Sequence, residues 1–355
     1  MIMPTTKIER SSNFELYRII VMFLILCGHY VFNSDMLPTI WGEISVRSIF
    51  FYSFGIWGKT GINCFVMITG YFMCTSTISL RKFTKLLLEV EFYNFLIGGV
   101  FLATNYNDYS VVDFILHLNP IHSIETGFTS CFIIFYLTIP FLNILVKNID
   151  RKMHLHLICL LIFTYTIMKY VPSSIVTFNY VSWFIVIYFI ASYIRLYPKS
   201  IPHGTSAKYW GGLTLLMIVL SILSVFVSIL LSHYGIEINQ FFFVLDSNAI
   251  FALLTGISSF MLFKNLKIRQ SKIINTVAST TFGILCIHAN GETMRVWLWN
   301  DIVDCIGHVN VSYYALYAIG TCIIIFCTCS VLDWMRIQTI EKWTFKYLDL
   351  KIFNK

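Results

Sequence analysis

Ten apolar stretches run through this chain of 355 residues, roughly at 14–32, 48–74, 86–104, 128–146, 154–170, 181–194, 211–231, 241–263, 277–299 and 312–332. A helix needs about 20 residues to cross about 30 Å of hydrocarbon, and most of these stretches have that length, the fifth and sixth being the shortest. The chain is 57% hydrophobic and 12% charged, whereas a soluble domain carries about 25% charge. An all-α, polytopic membrane protein with about ten transmembrane helices is therefore expected, forming one domain over 1–355.

The basic residues set its orientation. Lys and Arg collect in cytoplasmic loops, and here they cluster at 7–10, 81–85, 147–152, 195–208, 264–272 and 336–355. Those clusters hold 20 of the 25 and recur after every second stretch, on one side of the membrane, so both termini are expected in the cytoplasm. The remaining five are Arg18, Arg47, Lys59, Lys169 and Arg295. The formal charge of +7 is in this reading a topology signal, and its spread over six segments argues against nucleic-acid binding. No small-residue cleavage pattern follows the first stretch, which is expected to be retained as a helix. The ten cysteines form no CxxC pair and read as small buried side chains. No HExxH or dense Cys/His cluster occurs, so no metal is expected; the outer loop HLNPIHSIETG, 117–127, spaces His117 and His122 poorly for a metal pair.

The first stretch, FELYRIIVMFLILCGHY, carries Glu15, Arg18 and His29. Eleven residues separate Arg18 from His29, three helical turns, which returns both side chains to one face about 16 Å apart. Glu15 lies one turn before Arg18, within reach of an ion pair. An interfacial ion pair and a packing histidine would each be ordinary, but three polar groups on one face point to the bundle interior or a wet cavity. Arginine offers a fixed donor fork to phosphate or carboxylate, and histidine takes up a proton near neutral pH. A long cofactor with phosphate at one end and a reactive group at the other would suit that spacing, as coenzyme A does. Near the ninth stretch, His288, Glu292 and Arg295 form a second candidate stripe. Glu91 is preferred over Glu89 as the inward-facing acid of the third stretch, whereas Asn63 and Thr69 are expected to bond backbone carbonyls.

The Arg18-to-His29 spacing resembles the start of the acyltransferase family 3 membrane proteins, which O-acetylate bacterial cell-surface sugars. NCFVMITGYFMC (63–74), IIFYLTIPFLN (133–143), FIVIYFIASYIR (184–195) and TFGILCIH (281–288) resemble that family's helix 2, 4, 6 and 9 segments in order. The resemblance implies acetyl-CoA, or another short acyl-CoA, as donor, and a polysaccharide or lipid-linked glycan as acceptor at the bacterial cytoplasmic membrane. It gives His29, Arg18 and Glu15 catalytic roles, with Arg18, Arg81, Lys82 and Lys85 holding the cofactor and Glu91, His288 and Arg295 near the cavity. His29 would act as a general base or briefly carry the acyl group. Two departures stand out: RKFTK, 81–85, replaces a pair of arginines three apart, and TSCF, 129–132, replaces an aromatic pair. A transporter or flippase of a lipid-linked saccharide is the rival reading, but such proteins often show related halves, and no internal repeat is evident.

Overall fold

A computed structural model describes residues 11–122, 124, 127–172 and 174–353, with backbone alone at Lys351 and Phe353. Lys7, Arg10 and Lys355 of the basic clusters lie outside the described residues. Every described regular element is helical. In chain order these are α1 (Ser12–Phe32), α2 (Leu37–Ile40), α3 (Val46–Gly55), α4 (Gly58–Met73), α5 (Leu80–Thr104), α6 (Val111–His117), α7 (Phe128–Asn148), α8 (Arg151–Ile162) and α9 (Tyr180–Leu196). The second half adds α10 (Ala207–His233), α11 (Ile250–Asn265), α12 (Lys272–Ala278), α13 (Thr281–His288), α14 (Gly291–Val296), α15 (Cys305–His308), α16 (Tyr314–Arg336) and α17 (Lys342–Leu348).

Six helical runs are long and apolar enough to cross a bilayer: Ser12–Phe32, Leu80–Thr104, Phe128–Asn148, Arg151–Tyr170, Ala207–His233 and Tyr314–Leu348. Two further apolar helices, α9 and α11, are shorter. The remaining two stretches are interrupted. The second is cut at Ile56–Trp57 into α3 and α4, and the ninth is cut into α12, α13 and α14. Hydropathy alone hides such cuts, because the residues at the breaks stay apolar or neutral. Polar caps are more legible: Ser79, Asp150, Asn179 and Ser206 each accept a bond from the backbone N–H three residues on, opening α5, α8, α9 and α10.

The bundle is apolar outside as well as inside. On α10, Leu215, Leu216, Val219, Leu223, Val227 and Leu230 are exposed, while Thr214, Ser221, Ser224 and Ser228 are buried. Thr214, Ser221 and Ser224 return their hydroxyl protons to carbonyls of the same helix, so these three line a helix contact without stranded donors. The core is built around α1, which packs on α3, α4, α11, α12, α13 and α16, and around the largely buried α9. α1 crosses α4 with backbones almost touching: a Cβ at Gly28 would stand 3.0 Å from Gly58 Cα. The missing Cβ of Gly28 permits that approach, and the residues that follow the two glycines, His29 and Lys59, are brought to one wall. All ten cysteines are unpaired, eight of them buried.

Candidate active site

A cavity of about 840 Å³ opens at the His29 end of the bundle. α1, α3, α4, α5, α6, α7 and the turn at 289–291 all contribute to it. That turn is the second cut in the ninth stretch, and non-helical backbone inside a membrane bundle is tolerated where it lines a cavity.

His29 is half-buried and forms part of the cavity wall, with Gly28, Lys59, Asn94, Asn290 and Arg295 among its neighbours there. His288 is fully buried and stands behind it: His29 Nδ1 and His288 Nε2 are 2.9 Å apart. The other nitrogen of His288, Nδ1, lies 2.6 Å from the carbonyl oxygen of Ile284, one turn back on α13. A carbonyl only accepts, so Nδ1 of His288 carries the proton. In the neutral ring Nε2 then holds a lone pair and accepts from His29 Nδ1–H. The proton order is thus fixed from α13 outward, and the free lone pair of neutral His29 is left on Nε2. The ring is held as a positioned base would be.

Arg18 is placed differently. Its Nη1 lies 3.5 Å from Glu15 Oε2, with Glu15 nearly buried, so the predicted ion pair forms. Arg18 does not line the cavity at His29. Arg295 does, and its guanidinium is ion-paired with Glu292. Glu91 is half-buried and absent from the cavity wall, so the expected inward acid is corrected: Glu89 is the buried one. Two residues apart on a helix, the two acids point in different directions, and the deciding partner is distant in sequence. Arg336 Nη2 bonds Glu89 at 2.8 Å, its Nε bonds Asp333 at 2.7 Å, and its Nη1 bonds Glu341 at 3.1 Å. Tyr93 donates to Asp333 at 2.8 Å. A Cβ on Gly283 would fall inside the Asp333 carboxylate, so α13 meets α16 here without a side chain.

Nearer the start of α5 a smaller cavity of about 310 Å³ is bounded by Arg81, Lys85, Glu341, Lys342, Phe345, Lys346 and Asp349. Arg81 grips Asp349 with both prongs, at 2.7 and 3.0 Å, and lies over the Phe345 ring. Lys85 meets Glu341 at 2.5 Å. The Arg81 contact holds the Asp349 carboxyl below the usual aspartate range. Lys82 is exposed and borders neither cavity. Arg81 and Asn94 are thirteen residues apart on α5, so the two cavities are about 20 Å apart along it, with the Glu89–Arg336–Asp333 cluster between.

Sequence reasoning gave several cavity residues no place in the site. Lys59 donates to the Tyr180 hydroxyl at 2.6 Å. His117 Nε2 is 2.7 Å from Asn290 Oδ1, and Asn290 Nδ2 donates to Asn94 Oδ1 at 3.2 Å. Burial, opposed by the Asn290 bond, pushes the pKa of His117 below the usual histidine value. A lysine at a helix start and two asparagines carry little signal in one sequence; the HANG run after an apolar helix was the available cue to the turn.

An apolar helical bundle with an interior cavity and a hydrogen-bonded histidine pair at its wall defines a multi-pass membrane protein built around an interior reaction or binding site. The chain belongs to the acyltransferase 3 family: the family's acyltransferase-domain model matches residues 12–330. No curated protein and no solved structure matches it.

Proposed function

We propose that this membrane acyltransferase moves an acetyl group from cytoplasmic acetyl-CoA to a hydroxyl of a cell-envelope or exported polysaccharide, in the bacterial cytoplasmic membrane. The observation that carries the reading is the His29–His288 pair at the cavity wall of a chain in this family. In the same proposal the chain is one domain with ten spans and both termini cytoplasmic, which puts the His29 cavity on the outer side and the Arg81 pocket on the inner side. Arg81, Lys82 and Lys85 would meet the CoA phosphates, and Arg18, oriented by Glu15, would lie along the donor path. His29 Nε2 takes the proton of an acceptor hydroxyl as its oxygen attacks the thioester carbonyl. The tetrahedral carbon then releases the thiolate, which receives the proton from His29. The products are the acetyl ester and free CoA.

The test is purified protein in nanodiscs, with labelled acetyl-CoA and a panel of bacterial glycans. Wild type should transfer label to glycan, and His29→Ala should not, while still binding donor. Label accumulating on His29 before transfer would replace the direct step by a covalent one; absence of donor binding would reject the reading.

A further inference from the structure

We propose that Lys59 is an anion-binding residue of the His29 cavity and that the acceptor is an acidic saccharide, whose negatively charged group Lys59 holds beside the reacting hydroxyl. The inference rests on the acyl-transfer reading for the word acceptor, but its anion site stands on geometry alone.

The placement of Lys59 is fixed from below. Gly28 and Gly58 meet backbone to backbone, and His29 and Lys59 follow them directly, so both open onto one cavity. Lys59 is half-buried, and among the described residues its ammonium bonds one neutral partner, the Tyr180 hydroxyl at 2.6 Å, whose ring lies 5.3 Å away. An ammonium has three N–H donors, so two are left for a ligand.

Among the described residues, the other charged side chains of the cavity wall have partners within the chain. Arg295 is paired with Glu292, and the Asp113 carboxylate accepts from the Ser110 backbone N–H and hydroxyl. Among the described residues no carboxylate pairs with Lys59. A partly desolvated cation without a counter-ion is costly and is relieved by an incoming anion. The rest of the wall suits a sugar: the Asn94–Asn290–His117 chain offers amide and imidazole groups to hydroxyls, and Tyr109, Phe128 and Tyr180 offer ring surface. At about 840 Å³ the cavity is in the range that encloses a small organic ligand. The shared chemistry is a single anionic group on a sugar, supplied as a uronic carboxylate or as a phosphodiester.

The experiment uses full-length protein in nanodiscs, with methyl glucuronoside, methyl glucoside and a glycosyl phosphodiester as probes. Binding is titrated directly, without donor, and transfer from acetyl-CoA is measured separately. Wild type should bind at least one anionic probe ten-fold or more tighter than the glucoside. Lys59→Gln should collapse that preference toward unity, and Lys59→Arg should keep most of it; which anionic probe binds tighter names the source. Size-exclusion profile and donor binding confirm that each variant is folded. An unchanged anionic preference in Lys59→Gln overturns the proposal, as does an equal loss of kcat with all acceptors and no change in binding, which would place Lys59 on the thioester oxygen instead. If no glycan is acylated at all, the function reading falls while the binding titration still decides the role of Lys59.

Discussion

His288 Nε2 lies 2.9 Å from His29 Nδ1, and the far side of the His288 ring is pinned to a carbonyl of its own helix. One imidazole therefore sets the tautomer of the other. His29→Ala should lower transfer by about 10² to 10⁴, the usual contribution of a positioned base. His288→Ala should lower kcat by a part of that, leave donor affinity in place and alter the pH–rate profile, because His29 can then expose either nitrogen. His288→Asn, which can still accept from His29, should recover some rate. Equal kcat and pH profiles in wild type and His288→Ala would remove the pair from the mechanism.

The Arg336 cluster should behave as a stability element. Removing one partner of a buried ion network typically costs about 3–5 kcal/mol, since the remaining charges stay buried. Arg336→Met leaves Glu89 and Asp333 without their shared cation and should lower the thermal midpoint in detergent far more than Arg47→Met, whose partner Glu43 is surface-accessible. Thermal scanning of the two variants side by side makes the comparison.

Asp349 and Glu341 occupy Arg81 and Lys85, the cations proposed to meet CoA phosphates. Asp349→Asn should free the Arg81 fork and tighten acetyl-CoA binding several-fold, measured by calorimetry at low salt. Arg81→Lys, which keeps charge without the planar fork, should weaken it. A donor affinity indifferent to both substitutions would separate this pocket from the donor path.

Acidification should loosen the loop over the larger cavity. His117 has a pKa depressed by burial, so its neutral form stabilises the fold fully above the ordinary value of about 6.5. That contribution declines as pH falls below 6.5 and is lost as pH passes through the lowered folded value. Amide exchange across 111–122 should speed up between pH 7 and pH 5, relative to α9, and His117→Gln should lose that acid-specific step.

Gly28→Ala should be harmful and Gly99→Ala harmless. A Cβ at Gly28 would sit 3.0–3.1 Å from backbone atoms of Gly55 and Gly58, which cannot swing aside, whereas one at Gly99 would meet nothing within 4 Å. Overpacking of this kind costs about 1–3 kcal/mol. Folded yield and transfer should both drop for the first variant only.

The helical class and much of the site's first helix were legible because a polar side chain is conspicuous in an apolar run. Glu15, Arg18 and His29 stood out for that reason, and so did His288. Lys59 was visible only as an exception to the charge alternation, and Asn94 and Asn290 are neutral groups with no periodic signature. Glu89 could not be ranked above Glu91 because its partner Arg336 is 247 residues away, a pairing set by how α5 and α16 pack. The cuts at Ile56–Trp57 and Ala289–Asn290 escaped for another reason: a hydropathy window averages across one or two residues of altered backbone.

The glycine contact between α1 and α4 has a mechanical meaning as well as a steric one. Two helices locked backbone to backbone resist sliding, and they carry His29 and Lys59 on a single stiff strut. The rest of the wall is built from shorter pieces, α6 and the turn at 289–291 among them, so exchange of a bulky acceptor is expected there rather than at the α1–α4 contact. The reacting ring is thereby carried by a wall in which two backbones meet directly.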